Sequence, residues 1–157
     1  MKGTEFDESA FFAAMSGSGA RALLIGRRAL IVLGLPLGTA DYGFWLHIDD
    51  IDLFNRALEP FDLFPNRTAE EARARGRYVL ENDEHVDVLV ARSVPTVQGE
   101  PVVFDEVWER RNPVELEPGV TIHIPSLEDL IATKRYAARP RDIEDIRLLE
   151  SLREDPE

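Results

Sequence analysis

The sequence predicts an α/β (α+β) fold, a short mixed β-sheet with helices packed on it. Three observations carry that expectation. Short apolar, β-branched or aromatic runs at residues 22–25, 41–47, 86–90 and 120–124 are separated by stretches of helical spacing. The ten glycines and ten prolines are spread as punctuation and do not collect into a linker. A 44% hydrophobic share in 157 residues suffices for one real core and is too high for a disordered chain. The expected organisation is therefore a single domain over residues 1–157, with its core over about 20–153.

Each element has its own local reason. Asp7 to Met15 reads as a short helix broken by Ser16-Gly17-Ser18-Gly19. Ala22–Ile25 is an apolar run closed by Gly26, as in a buried strand. Arg27 to Leu33 favours a helix ended by Gly34 with Pro36 beyond, although Ile31-Val32-Leu33 also suits a strand. Asp41 to His47 is strand-like, with Asp41, Gly43, Trp45 and His47 on one face. Asp49 or Asp50 is placed to cap a helix carrying Ile51, Phe54 and Leu58.

Thr68-Ala69-Glu70-Glu71 is a capping-box pattern, and Arg73 and Arg75 complement the dipole at the helix end before Gly76. Tyr78–Leu80 and Val86–Val90 read as two strands of a hairpin across Asn82-Asp83-Glu84. Residues 101–111 are mixed, with a short helix around Phe104–Trp108. Val120–Ile124 is a strand. Pro125-Ser126 opens a helix with Leu127, Leu130 and Ile131 on one stripe. Pro140 suits the first turn of a last helix with Ile143, Ile146 and Leu149 as its buried side.

Composition excludes several functions. A net charge of −12 repels phosphate backbones at long range and argues against a broad nucleic-acid surface, while leaving room for a local basic pocket. With no cysteine, disulfides, thiolate zinc sites and cysteine nucleophiles are out. No apolar run approaches the roughly 20 residues that span a bilayer. The opening residues turn acidic at once, without a secretory apolar stretch, so the expectation is a soluble, cytoplasmic protein with no membrane association.

The chemistry concentrates in Leu24-Ile25-Gly26-Arg27-Arg28 and in the following Gly38-Thr39-Ala40-Asp41. A strand ending in glycine at a helix start leaves free backbone N–H groups, a natural phosphate site to which two guanidinium groups add charge. The plainer alternative is a tight turn with both arginines solvated. Asp87, in the apolar strand Val86-Asp87-Val88-Leu89-Val90, must be paired or used, because a buried lone carboxylate is costly. His85 shares its face. Lys134 lies on the stripe of Leu127 and, read from the residues alone, is a lysine that snorkels at the core edge, with Asp142 and Asp145 as an exposed pair. His47 and His123 read as structural, Tyr42 and Trp45 as core aromatics, and the arginines at 73, 75, 77, 110 and 111 as solvated side chains or, alternatively, as the rim of a phosphate pocket.

These residues together resemble the nucleotidyltransferase superfamily of DNA polymerase beta-like fold, and its AbiEii-type toxin members in particular. Gly26 matches the first-motif glycine, Asp41 the first aspartate of an Asp-x-Asp strand, and Asp87 the third carboxylate. The run Ser126-Leu127-Glu128-Asp129-Leu130-Ile131-Ala132-Thr133-Lys134, then Arg141-Asp142-Ile143-Glu144-Asp145, matches the end of the group's pattern. The likeness covers roughly residues 23–152. It implies Mg²⁺-dependent transfer of a nucleoside monophosphate from an NTP to a hydroxyl acceptor. Asp41, Asp87 and Lys134 would be the catalytic groups, Asp41 and Asp87 the metal ligands, and Gly26, Arg27, Arg28, Thr39 and Asp142 the nucleotide contacts. Two positions depart from the pattern. Arg27 stands where the family has glycine or serine, and Gly43 stands where it has the second aspartate. Residues i and i+2 of a strand share a face about 6.5–7 Å apart, so the missing carboxylate removes half of a convergent pair. A degenerate module that binds a nucleotide or a protein partner without turnover is the alternative.

Overall fold

The computed structural model describes residues 6–35, 37–39, 41–82, 84–95, 100–137 and 140–154, without the side chains of 135–142, 153 and 154. Its architecture is a mixed sheet with helices, the fold class that the sequence predicts. In chain order the elements are α1 (Glu8–Gly17), β1 (Ala22–Ile25), α2 (Gly26–Val32), β2 (Asp41–Leu46), α3 (Ile51–Leu58), β3 (Phe64–Pro65), α4 (Ala69–Arg75), β4 (Arg77–Glu81) and β5 (His85–Leu89). Then follow β6 (Ser93–Val94), β7 (Val102–Val103), α5 (Phe104–Glu109), β8 (Asn112–Glu117), β9 (Val120–Ile124), α6 (Leu127–Ala137) and α7 (Pro140–Glu154). Seven of the described strands form one sheet in the order β3-β4-β5-β2-β1-β9-β8, and β6 and β7 pair separately.

Pairing sets the geometry of the site. β1 runs antiparallel to β2, with Ile25 opposite Gly43. β2 runs parallel to β5, with Asp41 opposite His85 and Gly43 opposite Asp87. β4 and β5 form the expected hairpin, with Val79 opposite Asp87. Parallel neighbours require a crossover, and here α3, β3, α4 and β4 supply it between β2 and β5.

Strand alternation divides the sheet into two chemically different faces. Leu24, Tyr42, Phe44, Leu46, Val86, Val88, Ile122 and Ile124 belong to the main core, packed with Phe11 and Phe12 of α1 and Phe54 and Leu58 of α3. On the other face, Leu23 and Trp45 form a smaller core with Phe104 and Val107 of α5. Trp45 and Leu89, at the ends of β2 and β5, belong to this small core or pack against it. The same face, toward the strand starts, carries Asp41, Gly43, His85 and Asp87. Tyr42 and Trp45 are buried, as the sequence suggests for core aromatics.

Several local readings need correction. The first helix runs on through Ser16 to Gly17, because Asp7 caps its start by accepting from the Ala10 amide and Ser18 closes its end. Asp50 does not cap α3. Its carboxylate instead takes the Arg21 backbone amide at 2.8 Å and the Arg21 guanidinium at 2.8 and 2.9 Å, while the His47 ring accepts from the Asp49 amide and caps the short 3-10 turn before α3. Ile143 is 46% exposed, so α7 buries Leu149 and partly Ile146 but not the expected third member. Strand β8 was not expected: four of its six residues face solvent, and Asn112, Pro113 and two glutamates leave only Val114 and Leu116 as apolar positions. No helix among the described residues is long and apolar enough to cross a membrane.

Candidate active site

Gly26 joins β1 to α2 at φ +72°, a left-handed conformation that residues with a Cβ adopt at a cost. The chain therefore turns sharply from the end of the strand into the helix, and no side chain caps the helix start. The turn opens on a cleft of about 520 Å³. Gly26, Arg27, Arg28, Thr39, Asp41, Gly43, Arg77, Asp87 and Lys134 all line it. Seven of the eight residues expected at the site thus share one cavity. The side chain of the eighth, Asp142, lies outside the described residues.

Asp41 and Asp87 sit on adjacent parallel strands, two residues out of register and on the same face. Strand spacing and rise put their Cα atoms roughly 8 Å apart, within reach of a common small ligand. The carboxylate of Asp87 is bracketed. His85 Nε2 lies 3.2 Å from Oδ2 and an Arg77 guanidinium nitrogen 3.7 Å from Oδ1. Partial burial pulls the His85 pKa down. The charge of Asp87, hydrogen bonds with Asp87 and Glu81, and the charge of Asp41 outweigh this and leave it raised above 6.5.

Lys134, Arg27 and Arg28 are built in rather than loosely presented. Lys134 Nζ is 3.1 Å from Asp145, a wholly buried carboxylate on α7. The Arg27 guanidinium lies 3.2 Å from Asp145 and 3.2 Å from exposed Glu144. Asp145 is therefore no exposed partner of Asp142. It holds one cation from α2 and one from α6, as a buried charge requires. Arg28 stacks 4.0 Å from the centre of the Tyr42 ring, pairs with Glu8 at 3.1 Å and donates to the Thr39 carbonyl at 3.0 Å. Burial and a hydrogen bond to Glu8 push the Tyr42 hydroxyl well above its usual range, so it stays a neutral donor. Arg28 thus fastens the loop before β2 while bordering the cavity.

Gly43 needs no special conformation. A Cβ there would meet Ile25 O at 3.5 Å and Ile25 Cγ1 at 3.6 Å, ordinary contact distances. Strand β2 lacks a second carboxylate beside Asp41 because of the residue chosen, not because the backbone forbids one. Among the described residues no three metal-ligating side chains converge.

Asp145 escapes a reading of the sequence, and Arg77 is not singled out there from the other arginines that could rim a phosphate pocket. Asp145 looks exposed in a charged helix, and only the packing of α7 on α6 reveals its burial. Arg77 sits in an arginine run that suggests solvent. Its position two before Val79, the residue opposite Asp87, is the signal that places it diagonally beside the carboxylate. His47 and His123 lie apart from the cleft lining. His123 packs on Trp108 beside Arg111, and burial together with the Arg111 charge lowers its pKa.

No protein-family profile and no curated protein matches the chain in sequence. Its three-dimensional form does match solved structures. The solution structure of the antibiotic-resistance factor ANT(2'')-Ia superposes with a TM-score of 0.65 at 14% identity, over 92% of this chain and 80% of that one. The lincosamide antibiotic adenylyltransferase LnuA, with lincomycin bound, gives 0.64 at 13%, over 95% and 99%. A crystal structure of ANT(2'')-Ia with adenylyl-2''-tobramycin gives 0.63 at 15%, over 92% and 86%. The fold is that of nucleotidyltransferases. At this identity the likeness concerns the fold alone.

Proposed function

We propose that the protein transfers a nucleoside monophosphate from an NTP to a hydroxyl on a small-molecule acceptor. The observation that carries this reading is the convergence of Asp41, Asp87, the Gly26 turn, Arg27 and Lys134 on one cleft. That two neighbours of the same fold hold an adenylylated aminoglycoside and a lincosamide supports the acceptor class. The AbiEii-type specificity is one form that this reading can take, with a protein partner in place of the small acceptor.

The donor set fits one hard cation. Two carboxylates on one sheet face suit Mg²⁺, which takes one or two protein carboxylates and fills its shell with water and phosphate oxygens. They do not fit a pair of ions bridged by an Asp-x-Asp strand, since Gly43 offers no oxygen from its side chain. Held by Asp41 and Asp87, the ion would supply positive charge to the triphosphate. Arg27 and Lys134, kept in place by Asp145, would face the same phosphates and offset the charge that develops on the departing pyrophosphate. The backbone at Gly26 approaches closely because no side chain intervenes. The acceptor oxygen bonds to the α-phosphorus, the bond to the bridging pyrophosphate oxygen breaks, and the acceptor proton passes to water.

Incubation with ATP, Mg²⁺ and a panel of hydroxyl-bearing antibiotics, read as pyrophosphate release, tests this. Asp41→Asn is expected to lower the rate at least a hundredfold while the melting temperature holds, a loss of about 2.7 kcal/mol of transition-state stabilisation. Equal rates for wild type and variant would refute the assignment.

Gly43 favours a second reading, in which the same cleft binds a nucleotide without turnover. Calorimetric ATP binding by a wild type that releases no pyrophosphate with any acceptor would select it.

A further inference from the structure

Asp87 has a partner that the nucleotidyl-transfer reading leaves unused. Its Oδ2 faces His85 at 3.2 Å, close enough for a hydrogen bond, whereas its Oδ1 faces Arg77 at 3.7 Å, beyond that range. The Arg77 side chain is 66% exposed and lines the cleft. Among the described residues its guanidinium donates to no side chain, so its N–H groups remain available. Its backbone, by contrast, is fixed. Gly76, in the left-handed conformation, ends α4, and its carbonyl accepts from the Val90 amide at 2.8 Å. The Arg77 carbonyl accepts from Arg67 at 3.3 Å. An exposed guanidinium on a fixed base thus stands 3.7 Å from Asp87 Oδ1, the carboxylate oxygen that His85 does not face. Where a second carboxylate would add negative charge beside Asp87, this chain has Gly43 on one flank and a cation on the other.

We propose that Arg77 is a nucleotide-binding residue that serves as the resident counter-ion of Asp87 and competes with a divalent cation for it. With a cation held by Asp87, the Arg77 guanidinium would be released from the carboxylate and would turn to the phosphates of the bound nucleotide. Without a metal, Arg77 screens Asp87 from an incoming anion and adds its own charge to Arg27 and Lys134. The proposal rests on the cleft being a nucleotide site, and it makes opposite demands on two ligands.

The test is Arg77→Gln in the full chain, with Mn²⁺ binding followed by the electron paramagnetic resonance of free Mn²⁺, and ATP binding in EDTA followed by calorimetry. Loss of the competitor is expected to tighten Mn²⁺ about threefold or more. Loss of the phosphate contact should weaken ATP about tenfold, with Arg77→Lys restoring most of the ATP affinity. The residue is exposed, so the variant should keep its fold, and an unchanged melting curve confirms this. Mn²⁺ affinity that stays the same or falls overturns the proposal, as does unchanged ATP affinity. Asp87→Asn separates the two levels. If wild type binds Mn²⁺, Asp87→Asn does not and Arg77→Gln behaves as wild type, the site stands and the role of Arg77 falls. If wild type binds neither ligand, both readings fall together.

Discussion

At the residue scale, two glycines at the same cleft do different work. Gly26 is there for its backbone. At φ +72° an added Cβ finds open space, yet the left-handed conformation itself opposes it by about 1–2 kcal/mol. Gly43 is there in spite of its backbone, which any residue can adopt and which leaves room for a side chain. Gly26→Ala should therefore lower unfolding free energy in urea by about 1–2 kcal/mol, equally in EDTA and in Mg²⁺. Gly43→Asp should place a third carboxylate beside Asp87 and Asp41, destabilise by about 1 kcal/mol in EDTA, and recover when Mg²⁺ is added. A Mg²⁺-independent loss at position 43 would mean that the new carboxylate does not face the cleft.

At the element scale, the helices that announce themselves in sequence are those whose ends are chemically marked. Helix α4 carries the full device. Thr68 accepts from the Glu71 amide at 3.1 Å, Glu71 accepts from the Thr68 amide at 2.9 Å, and Gly76 closes the helix in the left-handed conformation. Thr68→Ala removes one half of that box and should lower stability by about 1 kcal/mol in thermal or urea melts, with ATP binding unchanged because α4 lies outside the cleft lining. Strands β2, β5 and β9 were equally legible, since each alternates or concentrates β-branched and aromatic residues on a core face. Strand β8 was not, because its alternation, Val114-Glu115-Leu116-Glu117, lasts only four residues and starts beside Pro113. Asp145 shows the same limit in a helix. Its neighbours Arg141, Glu144 and Arg147 are charged, so no local pattern marks position 145 as buried. The carboxylate is buried because two cations from other elements come to it. Contacts between partners more than a hundred residues apart, such as Arg27 with Asp145, leave no local trace.

At the scale of the whole molecule, the ion pairs that join distant elements respond to acid as the fold does. Asp50 ties the start of α3 to Arg21, at the entry to β1. Burial pushes its carboxyl up. The side-chain and backbone hydrogen bonds from Arg21, with the Arg21 charge, overcome this and hold it below the usual 3.8. The folded protein therefore holds this carboxylate charged to lower pH than the unfolded chain does. Unfolding takes up a proton in that window, so stability from this pair is complete above about pH 5 and is lost as pH falls through the folded value. Arg21 is 43% exposed, which screens the pair and keeps its contribution to about 1–2 kcal/mol. Asp50→Asn should thus be less stable than wild type by that amount at pH 6 in urea melts, and the gap should close as pH is lowered toward 3. A gap that stays constant with pH would assign the loss to packing around position 50. His123, lowered below 6.5 by burial and by Arg111, has the same sign at higher pH, whereas His85, raised by its carboxylate neighbours, has the opposite one. The two histidines thus oppose each other, and both are common to wild type and Asp50→Asn, so the difference between the two proteins isolates the Asp50 pair.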